Sequence, residues 1–246
     1  NTGRYSLSAD WQHGGSSSVT KVTAYAMRYD LDLISNFTFY LDDPRHGDQQ
    51  EQLDRRWVTG ARASYRRMGR WRGRAVQHTV GVQVRNDLIP QVALLHTERR
   101  VPLETRADSS ALVTSAGVYA QSDIEWAPKF RMNGGLRVDG SHYRVDALDA
   151  ANSGTADAAM VSPKGGATVG PWKGTEFYLN GGVGFHSNSA LGTTITRDPE
   201  GNPVDRVTPL VRATGAEVGV RTVAVPHLQT TVSWWTLRLG SELVYN

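Results

Sequence analysis

The chain has 246 residues, with 27 Lys and Arg, 24 Asp and Glu, 25 Gly and no Cys, and its formal net charge is +3. Without Cys the sequence excludes a disulfide scaffold, a thiolate zinc site and a cysteine nucleophile, and its 7 Trp, 9 Tyr and 5 Phe argue against a disordered chain. The small net charge gives no sign of nucleic-acid binding, and no stretch of about 18 apolar residues predicts a transmembrane helix.

Apolar and polar side chains alternate along most of the chain. In 5–12, Tyr, Leu, Ala and Trp alternate with Ser, Ser, Asp and Gln. A period of two predicts β-strands, and no segment has the 3.6-residue period of an amphipathic helix. In chain order we predict strands at 3–13, 19–41, 56–68, 74–88, 111–126, 130–147, 159–171, 175–188, 209–224 and 228–245. The stretch 90–110 is predicted as a long connection, or as an eleventh strand if it is split.

The predicted connections alternate in length. Short ones lie at 14–18, 69–73, 127–129, 173–174 and 225–227, and long ones lie at 42–55, 89–110, 148–158 and 189–208. This order is typical of a transmembrane β-barrel, which has short periplasmic turns and long extracellular loops. A soluble β-sandwich with one wet face has the same alternation of side chains along each strand. It is therefore the alternative that periodicity by itself leaves open.

The two alternating sets of side chains differ in chemistry. One set is rich in Tyr, Trp, Phe, Val and Leu, as on a face that contacts lipid, and the other carries charges, as on a face that lines a lumen. The predicted lumen-facing set consists of Arg28, Asp30, Asp32, Arg62, Arg85, Asp87, Arg137, Asp139, Glu217, Arg221, Arg238 and Glu242. Aromatic residues near strand ends fit interfacial girdles; they are Trp11, Tyr40, Trp57, Trp71, Trp126, Trp172 and Tyr245.

Five segments, taken together, carry a family resemblance. Residues 35–50 read SNFTFYLDDPRHGDQQ, 135–139 read GLRVD, and the others are 162–188, 209–222 and 235–245. Each segment is weak by itself, but their order and number resemble the barrel of TonB-dependent outer-membrane receptors over nearly the whole chain. The resemblance implies an all-β fold, an antiparallel transmembrane barrel of about 22 strands whose lumen holds an N-terminal plug domain.

The resemblance also implies a function. Members of the family import scarce ligands such as ferric siderophores or other metal complexes across the outer membrane of Gram-negative bacteria, using energy delivered through TonB. Implied partners are TonB, acting through the plug, the ligand and outer-membrane lipid, with no nucleic acid. No catalysis, cofactor or resident metal is expected.

The number of predicted strands is close to half of a family barrel. Residues 1–246 begin without an initiator Met or a signal peptide. Residues 244–246 differ from the family's last strand, which ends in an aromatic residue. We therefore expect residues 1–246 to be a middle segment of the barrel, without the plug domain and the C-terminal strands.

Candidate ligand contacts lie in one predicted external loop and at the end of one predicted strand. They are Asp43, Arg45, His46 and Asp48 in the loop 42–55, and His186 and Asn188 where the strand 175–188 leads into the next long loop. An acidic cluster with a His can touch a metal complex, whereas the plainer alternative is a solvated loop. The lumen-facing charges are expected to hold the plug.

Two other functions stay open. A passive pore or an autotransporter-type barrel would have the same strand pattern without dependence on TonB, and a soluble β-sandwich would suit a carbohydrate-binding module. The basic residues from Arg66 to Arg74 surround a predicted periplasmic turn at Trp71. They predict an anchor at the membrane interface rather than a nucleic-acid site.

Overall fold

The computed structural model describes residues 1–198 and 201–241, and these ranges form one antiparallel sheet of ten strands paired in chain order. The strands are β1 (Thr2–Gly14), β2 (Ser18–Ser35), β3 (Gln50–Trp71), β4 (Arg74–Glu98), β5 (Val101–Ala127), β6 (Phe130–Ala147), β7 (Gly154–Trp172), β8 (Thr175–Ser187), β9 (Leu210–Val225) and β10 (Leu228–Leu239). A 3₁₀ turn (Ala150–Asn152) precedes β7, and a short helix α1 (Ala190–Thr194) follows β8. Within the described ranges, no helix is both long enough and apolar enough to cross a membrane.

The connections lie on two rims. Residues 15–17, 72–73, 128–129, 173–174 and 226–227 form the short-turn rim, and residues 36–49, 99–100, 148–153 and 188–209 form the loop rim. The predicted alternation of short and long connections is confirmed at every position except 89–110. There β4 and β5 continue through the stretch as paired strands.

Both predictions for the stretch 90–110 are wrong, because it is neither a long connection nor a separate eleventh strand. β4 and β5 meet in a two-residue turn at Arg99 and Arg100, which have φ of 49° and 69°. Positive φ at both central positions is the geometry of a type I′ hairpin turn, which usually has Asn or Gly there. Two Arg residues gave no turn signal. β4 and β5, with 25 and 27 residues, are far longer than the roughly 10 residues that cross a bilayer, so this hairpin projects beyond the other strands.

Strand register separates an apolar face from a polar face. One row across β3 to β7 reads Ala63, Val82, Val118, Val138 and Val161, and these valines are 42–56% exposed. The adjacent row on the other side reads Arg62, Gln83, Gly117, Asp139 and Met160. Residues from β3 to β8 line a hollow of about 630 Å³ that includes Arg62, Gln83 and Arg137. The sheet is therefore concave on the polar face, and exposed aliphatic side chains cover its convex face.

The register also corrects the predicted lumen-facing set. Arg62, Arg85, Asp87, Arg137, Asp139, Glu217 and Arg221 lie on the polar face. Arg28 lies opposite Tyr5 and Trp57, so Arg28, Asp30 and Asp32 share the apolar face, and Arg238 lies there opposite Thr214. Glu242 is outside the described residues. The expectation that all twelve share one face is wrong, because each strand's two sets of side chains were assigned to faces without knowing the register that joins neighbouring strands.

Tyrosines on the polar face pack over glycines of the neighbouring strands. A Cβ added to Gly81 of β4 would lie 2.5 Å from the Tyr119 ring of β5, and Gly219 of β9 lies beneath Tyr178 of β8 in the same way. Glycine within a strand gives up side-chain packing, and close approach of a neighbour is one reason to retain it. These pairs bring a large ring flat against the concave surface.

A small hydrophobic core lies on the polar face near the loop rim. It consists of Ile89, Ala111, Tyr143, Val145 and Ala190. Ala190 belongs to α1, whereas the other residues come from β4, β5 and β6. Helix α1 therefore lies over the concave face and covers part of its loop-rim end.

Candidate ligand site at the loop rim

Asp48 braces the loop 36–49 from inside. Its side chain is 5% exposed, and its carboxylate accepts hydrogen bonds from the backbone N–H groups of Leu41, Asp42 and Asp43 at 2.7–3.2 Å. Burial raises the pKa of Asp48, but these N–H groups and the Thr38 hydroxyl outweigh it, so the pKa lies below its usual value. Asp48 is occupied by its own loop.

Asp43 holds the next turn of the same loop. Its Oδ1 accepts the backbone N–H groups of Arg45 and His46 at 2.9 Å each, and its Oδ2 lies 3.1 Å from Nδ1 of His46. The backbone hydrogen bonds from His46 and Arg45, opposed by desolvation, lower the pKa of Asp43 to about 2. The predicted acidic cluster is thus brought together, but it faces its own backbone.

His96 docks this loop on the projecting hairpin. His96 is 6% exposed, and its Nε2 donates to the Gly47 carbonyl oxygen at 2.6 Å. The backbone N–H of Thr97 donates to the Gln49 carbonyl oxygen at 2.8 Å. Sequence reasoning missed His96, because it lies in the stretch 90–110, and no signal in the sequence places that stretch beside residue 47.

The loop presents apolar side chains outward. Phe37 is 86% exposed, and Phe39, Tyr40 and Leu41 are exposed as well. These four residues are here called the aromatic patch. The carboxylates of Asp43 and Asp48 satisfy backbone N–H groups, whereas the aromatic patch is exposed at the surface of the loop.

His186 and Asn188 lie at the end of β8 and just beyond it. His186 lies opposite Val211 on the polar face and is half-buried. Asn188 joins the two ends of the connection 188–209, since its Nδ2 donates to the Thr208 carbonyl oxygen at 2.7 Å and its backbone N–H donates to that of Pro209 at 2.9 Å. Among the described residues no hydrogen bond or ion pair joins this pair to the loop 36–49.

Asn152 fastens the connection 188–209 to the neighbouring loop. Its Oδ1 accepts the backbone N–H groups of Thr196 and Arg197 at 2.8 and 3.0 Å, and its Nδ2 donates to the Arg197 carbonyl oxygen at 3.0 Å. Together with the packing of α1, these bonds keep the connection over the concave face.

Charged side chains on the polar face form local pairs. Arg85 Nε lies 2.7 Å from Asp87, and Arg137 pairs with Asp139 at 2.8 Å. Glu176 of β8 pairs with Arg131 of β6 and with Arg221 of β9 at 2.7 and 3.1 Å. Within the described ranges, no group of three or more His, Asp or Glu is placed to hold a metal ion.

A sequence comparison that covers the whole chain identifies its family. The sequence model described as TonB dependent receptor-like, beta-barrel, matches residues 1–246. The chain belongs to the TonB-dependent receptor family. The predicted family and the predicted fold, part of an antiparallel barrel, are confirmed. TonB-dependent receptors are receptors and transporters of the Gram-negative outer membrane rather than enzymes.

Solved structures share the fold at low sequence identity. The siderophore receptor PiuA from Acinetobacter baumannii is 15% identical, with a TM-score of 0.75 over 95% of this chain and 40% of that chain. The copper transporter OprC is 17% identical, with a TM-score of 0.73 over 96% and 38%. The ferripyoverdine receptor of the outer membrane of Pseudomonas aeruginosa is 13% identical, with a TM-score of 0.72 over 96% and 33%. No match was found among curated protein sequences.

The chain spans less than half the length of each of these three receptors. At such identities the likeness shows the fold alone. It also agrees with the strand count, because ten strands are slightly less than half of a 22-stranded barrel.

Proposed function

We propose that this chain forms ten consecutive strands of an outer-membrane receptor that imports a metal complex, of the ferric-siderophore class, with energy delivered through TonB. The single observation that carries the proposal is the match of the family model to all 246 residues. The sheet supports it, because a convex face of exposed aliphatic side chains suits lipid and a concave face of paired charges suits a water-filled lumen.

The sheet edges support the middle-segment proposal. Within the described residues, β1 pairs only with β2 and β10 pairs only with β9, so each has an unpaired edge. Backbone groups in lipid must be hydrogen-bonded, which requires a closed barrel. We therefore assign the closure of the barrel to further strands, and the concave face to a plug held by Arg62, Arg137 and the other polar-face charges.

The ligand class rests on the fold relatives and on the loop rim. Proteins of the same fold are described as receptors for siderophores and ferripyoverdine and as a copper transporter. In this chain the aromatic patch offers flat apolar surface, which suits a planar organic chelator better than a bare metal ion. We assign first contact with the complex to this patch, and a second contact at the concave face to His186.

Uptake by the whole receptor tests the proposal. A strain that carries the complete gene would be supplied with radiolabelled iron as ferric citrate or ferripyoverdine, or with copper, in the presence and absence of TonB. We expect TonB-dependent uptake of at least one of these complexes. Uptake that persists without TonB would favour a passive pore.

Variants of the loop 36–49 separate the candidate contacts. Replacement of Phe37 and Tyr40 by Ser is expected to reduce uptake of the metal complex that the wild-type receptor imports. His46→Ala is expected to leave this uptake nearly unchanged, because the His46 ring contacts the Asp43 carboxylate. The reverse result would return the ligand contact to the acidic cluster. Immunoblotting of outer membranes controls for receptor abundance.

A further inference from the structure

We propose that the short-turn rim of the apolar face binds anionic phospholipid head groups, specifically phosphatidylglycerol of the periplasmic leaflet. The proposed site is a basic belt that consists of Arg67, Arg72, Arg74 and Lys129 beside Trp71, Trp126 and Trp172. The inference rests on the proposed function, in which this sheet spans the outer membrane with its short turns in the periplasm.

Register places Trp71 and Trp172 on the apolar face, and Trp126 is placed beside Trp71 by a ring contact. Trp71 pairs with Arg74 across the 72–73 turn, and Arg74 shares its face with Val80 and Val82. The Trp71 and Trp126 rings meet edge to face, with centroids 5.9 Å apart. Since β4 lies between β3 and β5, the rings meet above β4, and Val76 there is only 8% exposed. Trp172 lies opposite Thr175, on the same side as Phe177.

A positively charged side chain lies over the face of each of these rings. Arg72 lies 4.9 Å from the centroid of Trp71, Arg74 lies 5.4 Å from that of Trp126, and the Lys129 ammonium lies 5.6 Å from that of Trp172. A tryptophan holds a cation by its ring face, and it prefers the boundary between hydrocarbon and head groups. The rings therefore fix three positive charges at the depth where lipid phosphates lie.

Acidic side chains near this rim all point the other way. Asp10 lies opposite Thr23, Asp123 opposite Gln77 and Glu125 opposite Arg131, and all of them are on the polar face. Glu176, also on that face, binds Arg131 and Arg221. Within the described residues, the apolar face at the short-turn rim thus carries only positive formal charges.

Because the acidic side chains near this rim lie on the polar face, the positive charges on the apolar face favour an anionic lipid head group. The N–H groups of an arginine match the oxygens of a phosphodiester, and basic residues at a membrane surface favour anionic lipids. Phosphatidylethanolamine adds an ammonium group, for which this part of the apolar face offers no carboxylate. The belt therefore fits a lipid with net negative charge better than a zwitterionic one.

The test uses the complete receptor, purified and mixed with equal amounts of phosphatidylglycerol and phosphatidylethanolamine. Native mass spectrometry would count the lipids that each variant retains. The test variant is Arg72→Gln/Arg74→Gln. The matched control is Arg66→Gln/Arg70→Gln, which removes two arginines near the same rim but on the polar face, since Arg66 lies opposite Thr79 and Arg70 opposite Ala75.

We expect wild type and the control to prefer phosphatidylglycerol, and the test variant to lose at least about tenfold of that preference, because each cation near an anionic surface contributes a factor of about five. Equal retention of both lipids by wild type, or equal loss in test and control variants, would overturn the inference.

Heat-modifiable migration in gels, measured for the receptor in vesicles of each lipid, separates this inference from the proposed function. A receptor that inserts and shows the shift in both vesicles but has no lipid preference contradicts the belt alone. A receptor that inserts into neither would contradict the membrane-spanning barrel itself.

Discussion

At the scale of single residues, the acidic side chains of the candidate site bind backbone N–H groups of their own loop instead of facing outward. Asp43, His46 and Asp48 have the composition of a metal-binding cluster, yet the two carboxylates accept N–H groups of the loop 36–49 and the His46 ring contacts Asp43. Backbone donors in a loop must find acceptors, and a carboxylate is the strongest one available. The same loop leaves Phe37 and Tyr40 exposed.

Asp48 offers the first test at this scale. Asp48→Ala removes the acceptor of three backbone N–H groups, so we expect the loop 36–49 to be cleaved many times faster by protease added to intact outer membranes. Asp42→Ala is the control, because it is the backbone N–H of Asp42 that contributes to this network. Equal cleavage of the two variants would mean that the aspartate does not brace the loop.

Asp43 predicts the pH dependence of the same loop. Its pKa is lowered from 3.8 to about 2, so its stabilising effect is fully present above about pH 4 and is lost as the pH falls toward 2. Hydrogen exchange of the Arg45 and His46 amides, corrected for intrinsic rates, should therefore show constant protection from pH 8 to pH 5. Loss of protection near pH 6 would contradict this, and Asp43→Asn should remove the acid transition.

Gly81 tests the fit between strands. A Cβ there would lie 2.5 Å from the Tyr119 ring, so Gly81→Ala is expected to destabilise the complete barrel by about 1–3 kcal/mol, as overpacking generally does. Urea unfolding in lipid vesicles measures the change. Gly140→Ala is the control, since a Cβ at Gly140 meets no atom within 4 Å. Adding Tyr119→Ala to the Gly81 variant should restore most of the stability.

At the scale of elements, the strands were predictable and the connection 188–209 was not. Period-two alternation marks strands wherever one face is apolar, and ten were found in order. The five-residue helix α1 is too short to show a period, and its place on the concave face depends on contacts with β5, β6 and β7. Such long-range packing leaves no local signal.

Asn152 tests the attachment of that connection. Asn152→Ala removes four hydrogen bonds to residues 196 and 197, so we expect amide exchange at Thr196 and Arg197 to accelerate by about tenfold or more, as at an unfastened loop. Asn36→Ala, which breaks a similar brace in the loop 36–49, is the control and should leave these amides unchanged. Unchanged exchange in the Asn152 variant would show that α1 packing holds the connection without Asn152.

At the scale of the whole molecule, the two faces and the two edges of the sheet each need a particular environment. The convex face suits lipid and the concave face suits water, but among the described residues the edge strands β1 and β10 leave backbone groups unpaired. Residues 1–246 expressed alone are therefore expected to aggregate and to show no heat-modifiable migration in gels, whereas the complete receptor should show it. A stable, monomeric, heat-modifiable product from residues 1–246 would contradict the half-barrel interpretation.

The sequence by itself determined the fold class, the order of most strands, the family and the rim on which most connections lie, because these depend on local alternation and on turn spacing. Only the tertiary structure decided which faces join across strands, that Arg28 and Asp30 lie with Tyr5 rather than with Arg62, and that His96 holds the loop 36–49. The physical reason is that a strand's pattern specifies two faces but not their pairing. Register, set by hydrogen bonds between residues far apart in the chain, assigns each face to one side of the sheet.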